Sequence, residues 1–116
     1  MKVSDVISAA DALRPNTIDT AQKVTWLNNL EHDLAETLMV DEPPIYTTST
    51  TNAVLLMPDG HNGFYQLYLM AMIDLGNEET TLYADDFAAF NEEYLSERQW
   101  WVRNHKPRKP TKIINL

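Results

Sequence analysis

The stretch that most constrains the fold of this chain is FYQLYLMAMIDLG, residues 64–76. In a helical projection its apolar side chains point in almost every direction, and Gln66 and Asp74 are the polar exceptions. A helix that is apolar all round has to be covered by other helices or by another subunit. The sequence therefore predicts a bundle with this helix at its centre, and Gly76 is the expected stop signal.

Two amphipathic helices are predicted ahead of this central helix. Apolar residues from Val3 to Leu13 recur on one face, and Pro15 ends this short helix. A longer second helix begins at a capping box formed by Asp19 and Gln22, or at Thr20, and runs to about Met39. The acidic residues of this second helix, Glu31, Asp33 and Glu36, are expected to face water.

A fourth helix is predicted from an N-cap at Asn77 to about Asn104, a length of ~40 Å at 1.5 Å per residue. Aromatic residues recur along it at near-heptad spacing and form a seam that should face the bundle. Acidic residues lie largely outside that seam, so we expect them to be solvated. The seam comprises Tyr83, Phe87, Phe90, Tyr94 and Trp101, and the acids are Asp85, Asp86, Glu92 and Glu93.

The segment between the second and third helices is polar and contains three prolines and two turn dipeptides. It is either a functional loop or a small hairpin that covers the core. The predicted fold class is thus all-α: a compact bundle of about four helices (short, long, buried and long). An irregular or hairpin-like loop joins helices two and three, and an extended basic tail, residues 105–116, follows a single helical domain at residues 1–104.

The composition of the chain disfavours several classes of function. The chain has no cysteine, so disulfides and thiolate metal sites are ruled out. No apolar run reaches the ~18 residues that a membrane span needs, so we expect no membrane contact. The net charge is −8, and residues 1–104 carry five basic against 17 acidic side chains. Such a surface repels phosphates, which disfavours nucleic-acid binding by the body of the protein.

No catalytic motif is present: the chain lacks a phosphate-binding Gly-rich loop, a nucleophile elbow and a Cys/His pair. His32 and Glu36 are four residues apart and could share a helix face as metal ligands, but no third ligand is identifiable. His61 falls in a Gly-rich turn and is interpreted as a loop residue. We therefore predict a protein that is not an enzyme and uses neither metal nor cofactor.

The basic tail is the most informative segment for function. Its cations match an acidic protein surface, and its apolar end KIINL could add a strand to a partner's sheet. The alternative is a frayed, solvated terminus. Trp100, half exposed on the fourth helix, could anchor an interface. The residues of this region predicted to bind a partner are Trp100, Arg103, Lys106, Arg108, Lys109, Lys112, Ile113, Ile114 and Leu116.

Several stretches, among them WLNNLE, YLMAMIDLGNEE and FNEEY followed by WW, resemble the head-completion or head–tail connector (adaptor) proteins of long-tailed phages and prophages. The resemblance implies a helical fold and a ring under the portal at the head–tail junction of the virion, assembled from subunits made in the host cytoplasm. Its partners would be the portal protein and other neck or tail proteins, and DNA would pass without specific binding. By this resemblance the tail and the Tyr46–Met57 loop, with Tyr46, Val54, Leu55 and Leu56, contact the portal or a neighbouring subunit.

Two other functions remain open at this point. The chain could be a small helical regulatory or protein-binding module of a phage or prophage, monomeric or dimeric, that also uses the tail. It could instead bind DNA through the fourth helix and the tail, which the acidic body disfavours and which predicts binding that weakens steeply with salt.

Overall fold

The computed structural model describes residues 1–105, which form four helices: α1 (Val3–Leu13), α2 (Thr20–Leu38), α3 (Phe64–Gly76) and α4 (Thr80–Asn104). The all-α prediction is confirmed, as is the order of a short, a long, a central and a long helix. Within residues 1–105 there is no strand, and the one β-type pairing is an isolated antiparallel bridge between Lys2 and Val54. The predicted tail, apart from His105, lies outside the described residues.

Helix α3 is the centre of the bundle, as its all-round apolar sequence predicts. It packs against all three other helices, and most extensively against α4. Phe64 lies within 5.0 Å of Tyr94 and 6.5 Å of Phe90 between ring centroids, so the aromatic seam of α4 meets the start of α3. The α3 residues that are buried are Phe64, Tyr65, Leu69, Met70, Ala71, Ile73 and Asp74.

The cap of α2 is the predicted one, since the Asp19 carboxylate accepts a hydrogen bond from the backbone N–H of Gln22 at 2.9 Å. The predicted cap of α4 is wrong. The backbone N–H of Asn77 still bonds to Ile73, so Asn77 completes α3, and α4 begins after Glu79. The reversal between the two helices occurs at Glu78, which takes a left-handed φ of 60°.

The connection between α2 and α3 is irregular, and the hairpin alternative is wrong. It nevertheless covers the core, because Tyr46, Leu55 and Met57 are all buried. Its backbone bonds to the start of the chain: the N–H of Val3 donates to Ala53 at 3.0 Å, and the N–H of Leu55 donates to Met1 at 2.9 Å. The loop is thus held by α1 and by side chains of α2, without a strand partner of its own.

Candidate protein-binding surface

Helix α4 continues past the core of the bundle. Tyr94 is its last buried residue, and the remaining turns to Asn104 contain no buried side chain. Residues spaced three and four apart share one helix face. On these turns that spacing forms an unburied stripe in which Leu95 is 57% and Val102 53% exposed. The full stripe consists of Leu95, Arg98, Gln99, Val102 and Arg103.

This stripe and Thr37 of α2 line a groove of about 610 Å³, here called the distal groove. Arg98 lines this groove: its Nε donates to the Thr37 hydroxyl at 2.9 Å, and its guanidinium lies 5.0 Å from the centre of the Tyr94 ring. An Nη of Arg98 is 3.9 Å from Asp33. Arg103 is exposed and makes no ion pair within residues 1–105. The groove therefore combines apolar side chains with a cationic rim.

The other face of this helix end is held by aromatic stacking. Trp100 stacks on His61 with ring centroids 3.6 Å apart, and His61 Nδ1 lies 2.9 Å from a carboxylate oxygen of Glu97. Trp101 stacks in the same way on His105, also at 3.6 Å. Trp100 is half-buried, as predicted, but its ring is covered by His61. This stacking attaches the loop to α4, and the role of Trp100 as an interface anchor stays a prediction.

The structure also corrects the placement of the predicted loop contacts. Tyr46 and Leu55 are each only 3% exposed, so they offer no surface to a partner. Leu56 is partly buried and packs on the core. Val54 is 65% exposed and remains accessible. Side chains alternate between inward and outward over residues 54–57, since neighbouring residues of an extended chain point to opposite sides. This alternation explains why Leu55 is buried and Val54 is exposed.

Glu31 contradicts its predicted solvent-facing position: it is fully buried. One carboxylate oxygen accepts the Tyr65 hydroxyl at 2.6 Å, and the other accepts the Tyr46 hydroxyl at 2.7 Å and the N–H of Leu56 at 2.9 Å. Burial, and then the Glu31 charge, raise the pKa values of Tyr46 and Tyr65 far above the usual range, so both stay donors. We call this set the Glu31 cluster.

Asn28 supports the same loop one turn earlier on α2. Its side-chain carbonyl accepts the N–H of Tyr46 at 2.7 Å, and its amide donates to the carbonyl of Tyr46 at 2.9 Å. Sequence reasoning missed both residues, although a signal existed. Glu31 follows Leu27 by four residues and precedes Leu34 by three, which places it inside the apolar stripe of α2.

A second buried acidic set joins α1, α3 and α4. Arg14 Nε lies 3.1 Å from Asp74 and 3.2 Å from Asp86, and an Nη of Arg14 lies 2.9 Å from Asp86. Asp74 is 1% exposed, and its Oδ2 has no hydrogen-bond partner in the described part of the chain. Burial, followed by the nearby Asp86 carboxylate, raises the pKa of Asp74 to about 7 in spite of Arg14. Asp86 is itself buried and paired with Arg14, so the expectation that it is solvated is wrong.

Two sets of residues weighed in the sequence remain: the pair His32 and Glu36, for which a metal site was not predicted, and the tail. His32 and Glu36 are both exposed, and His32 Nδ1 lies 2.8 Å from the carbonyl of Asn28. Nowhere in residues 1–105 do three or more His, Asp or Glu side chains converge as metal ligands would. The tail residues of the prediction lie outside the described residues, and their role stays a prediction. They are Lys106, Arg108, Lys109, Lys112, Ile113, Ile114 and Leu116.

None of the helices in the described part of the chain combines the length and the apolar character that crossing a membrane would take. Comparisons with family models, with curated proteins and with solved structures give no match for this chain.

Proposed function

We propose that this protein is a non-enzymatic structural subunit of a phage head–tail connector, assembled as a ring beneath the portal through which DNA passes. The observation that carries this proposal is the end of α4. It extends beyond the core and leaves Leu95 and Val102 uncovered in a groove with a cationic rim. An apolar face left open beside polar residues is typical of a protein-binding surface.

The buried acids support a structural rather than a catalytic role. Glu31 and Asp74 are the acids with the most unusual surroundings, and both are at most 1% exposed. A substrate in solution therefore does not reach either carboxylate. Their partners are residues of other helices and of the loop, so their role is to hold these elements together.

The charge of the body fits a protein beside moving DNA. Residues 1–104 carry 17 acidic side chains, and three of the five basic ones, Arg14, Lys23 and Arg98, are already paired with acids. Phosphates are repelled by such a surface, so DNA would pass the ring without adhering. The basic tail is left to contact an acidic protein surface, as the sequence predicts.

The test is electron microscopy of purified portal protein mixed with this chain, together with variants of the distal groove. We expect added ring density below the portal with the unaltered chain and its loss with Val102→Asp. Ile45→Asp is the matched control, because Ile45 is 71% exposed and does not line the groove. Removing residues 106–116 should leave the helical circular dichroism spectrum unchanged and abolish binding to the portal.

The two other functions give different results in these experiments. A fixed monomer or dimer that ignores the portal would replace the connector assignment with a regulatory or binding module. Binding to duplex DNA that weakens steeply between roughly 50 and 200 mM salt would replace it with a DNA-binding function.

A further inference from the structure

A second apolar groove lies at the opposite end of α4 from the distal groove. Its lining is formed by the start of α2 and the end of α3, and its volume is about 390 Å³. Leu75 at its edge is 50% exposed, and Leu82, on the first turns of α4, is 39% exposed. We call this region the corner. Its groove is lined by Ile18, Gln22, Trp26, Met72, Leu75 and Gly76.

The corner is anionic. Glu78 and Glu79 are exposed in the tight turn between Leu75 and α4. The basic side chains of the neighbouring elements do not offset them, because Lys23 is bound to Asp11 at 2.8 Å and Arg14 is bound to two acids. The corner therefore presents apolar side chains next to unbalanced negative charge.

The distal groove has the same combination with the opposite sign. Its exposed apolar residues, Leu95 and Val102, lie beside two arginines. Arg98 is already 3.9 Å from Asp33, so the unbalanced positive charge comes from Arg103, which makes no ion pair within residues 1–105. The sign follows the helix dipole, which favours anions at the start of α4 and cations at its end. The 25 residues of α4 span about 37 Å at 1.5 Å per residue. A continuous helix separates the two surfaces, so they cannot meet within one chain.

From this we infer that copies of the chain associate head to tail, with the anionic corner of one copy seated in the cationic distal groove of the next. Each copy then uses two different surfaces, which is a heterologous contact that closes into a ring when the rotation between copies permits. The inference rests on the proposed connector function and identifies the faces by which subunits would meet. Charge complementarity fixes the direction of the contact.

The test uses two charge-reversed variants, Arg103→Glu in the distal groove and the double change Glu78→Lys with Glu79→Lys at the corner. Sedimentation velocity over a concentration series at roughly 50 mM salt, where charge pairs are weakly screened, measures self-association. We expect each variant alone to associate roughly tenfold more weakly than the unaltered chain, the size of effect that a charged pair at an interface gives. An equimolar mixture should recover association, because each altered surface then meets a complementary one.

The control is Asp41→Lys with Glu42→Lys, which makes the same change in net charge at exposed residues that line neither groove. If the control weakens association as much as the corner variant does, net charge alone is responsible and the inference is wrong. Failure of the mixture to recover association also overturns it, provided that circular dichroism shows both variants folded. Binding to the portal is measured separately, by the electron microscopy described above. If the unaltered chain binds the portal but does not self-associate, only this inference is wrong. If the unaltered chain self-associates but does not bind the portal, only the connector function is wrong.

Discussion

Glu31 and Asp74 are both carboxylates buried at contacts between helices, yet their surroundings differ. Glu31 receives three hydrogen bonds from neutral donors, shared over both of its oxygens. Asp74 shares one guanidinium with a second acid and leaves an oxygen without a partner among the described residues. A buried charge is tolerated when donors replace the lost water, and it is costly when they do not.

The difference teaches that the donors around a buried acid, and not its burial alone, determine what its burial costs. Near neutral pH Asp74 gains a proton more readily than an ordinary aspartate, since burial and the nearby Asp86 raise its pKa to about 7. The Glu31 cluster has no second acid among its partners. Loss of the cluster should lower stability by leaving buried donors unpaired, whereas the Asp74 set should make stability depend on pH.

The largest expected effect is that of Glu31→Ala. It leaves two buried tyrosine hydroxyls and one N–H without an acceptor, so the free energy of unfolding should fall by about 3–5 kcal/mol. Urea denaturation followed by circular dichroism measures this loss. Glu36→Ala on the same helix is the control, because Glu36 is exposed and its loss should cost about 0.5 kcal/mol or less. Equal effects from the two variants would contradict the role of the Glu31 cluster.

Arg14→Met should lower the free energy of unfolding by about 3 kcal/mol at pH 8, because it removes the cation between two acids. The loss should be smaller at pH 5, where Asp74 holds its proton. Denaturation at both pH values measures the difference. Adding Asp74→Asn to Arg14→Met should restore part of the stability, since one of the two repelling charges is then gone. A double variant no more stable than Arg14→Met would show that repulsion is unimportant here.

Asp74→Asn should remove a pH dependence that the unaltered protein has. The folded pKa of about 7 lies above the ordinary 3.8, so between these values the folded state keeps a proton that the unfolded state has lost. Stability therefore falls as pH rises through this window and levels off above it, by about 2–4 kcal/mol in total. Thermal or urea unfolding from pH 4 to pH 8 measures the slope. A variant whose stability has the same slope as that of the unaltered chain would exclude Asp74 as its source.

The smallest expected effect comes from removing a single hydroxyl group from the Glu31 cluster. Tyr46→Phe removes one of three donors to Glu31 and should cost about 1 kcal/mol of unfolding free energy. Tyr94→Phe is the matched comparison. The Tyr94 hydroxyl donates to Asp33 at 2.6 Å, but Asp33 is exposed, so water replaces the lost donor and the cost should be smaller. If Tyr94→Phe cost more stability than Tyr46→Phe, burial would not determine how much each hydrogen bond contributes.

The sequence predicted the helices well because the signals for them are local. Helix α3 runs from Phe64 to Gly76 as its apolar run indicates, and α1 ends ahead of Pro15. Gly76 is not the stop that was expected, because it is the last helical residue and the left-handed φ occurs at Glu78. The start of α4 was predicted less well. Asn77 is the better cap by residue type, but the N-cap is Glu79, which makes no side-chain cap bond, because the position depends on how α3 ends. Here the backbone N–H of Asn77 stays bonded to α3, and its side-chain amide reaches the carbonyl of Pro15 at 3.2 Å.

The buried acids were missed because their partners are remote in the sequence. Glu31 meets Tyr65, 34 residues later, and Arg14 meets Asp86, 72 residues later. Helical periodicity predicts that a charged residue faces solvent unless a partner for it is known. Partners that are 34 or 72 residues apart leave no local pattern in the sequence. The distal groove was foreseen only through Arg103, because Trp100 lies on the other face of the helix and Leu95 and Val102 were not singled out. Their exposure depends on where α3 stops covering α4.

The way in which the loop between α2 and α3 is attached has a consequence for how the molecule opens. The N–H groups of Tyr46 and Leu56 are bonded to the side chains of Asn28 and Glu31, both on α2, and not to a neighbouring strand. Deuterium can replace these two amide hydrogens only after α2 and the loop separate. They should accordingly exchange as slowly as the interior of the bundle, although they belong to a segment without regular secondary structure.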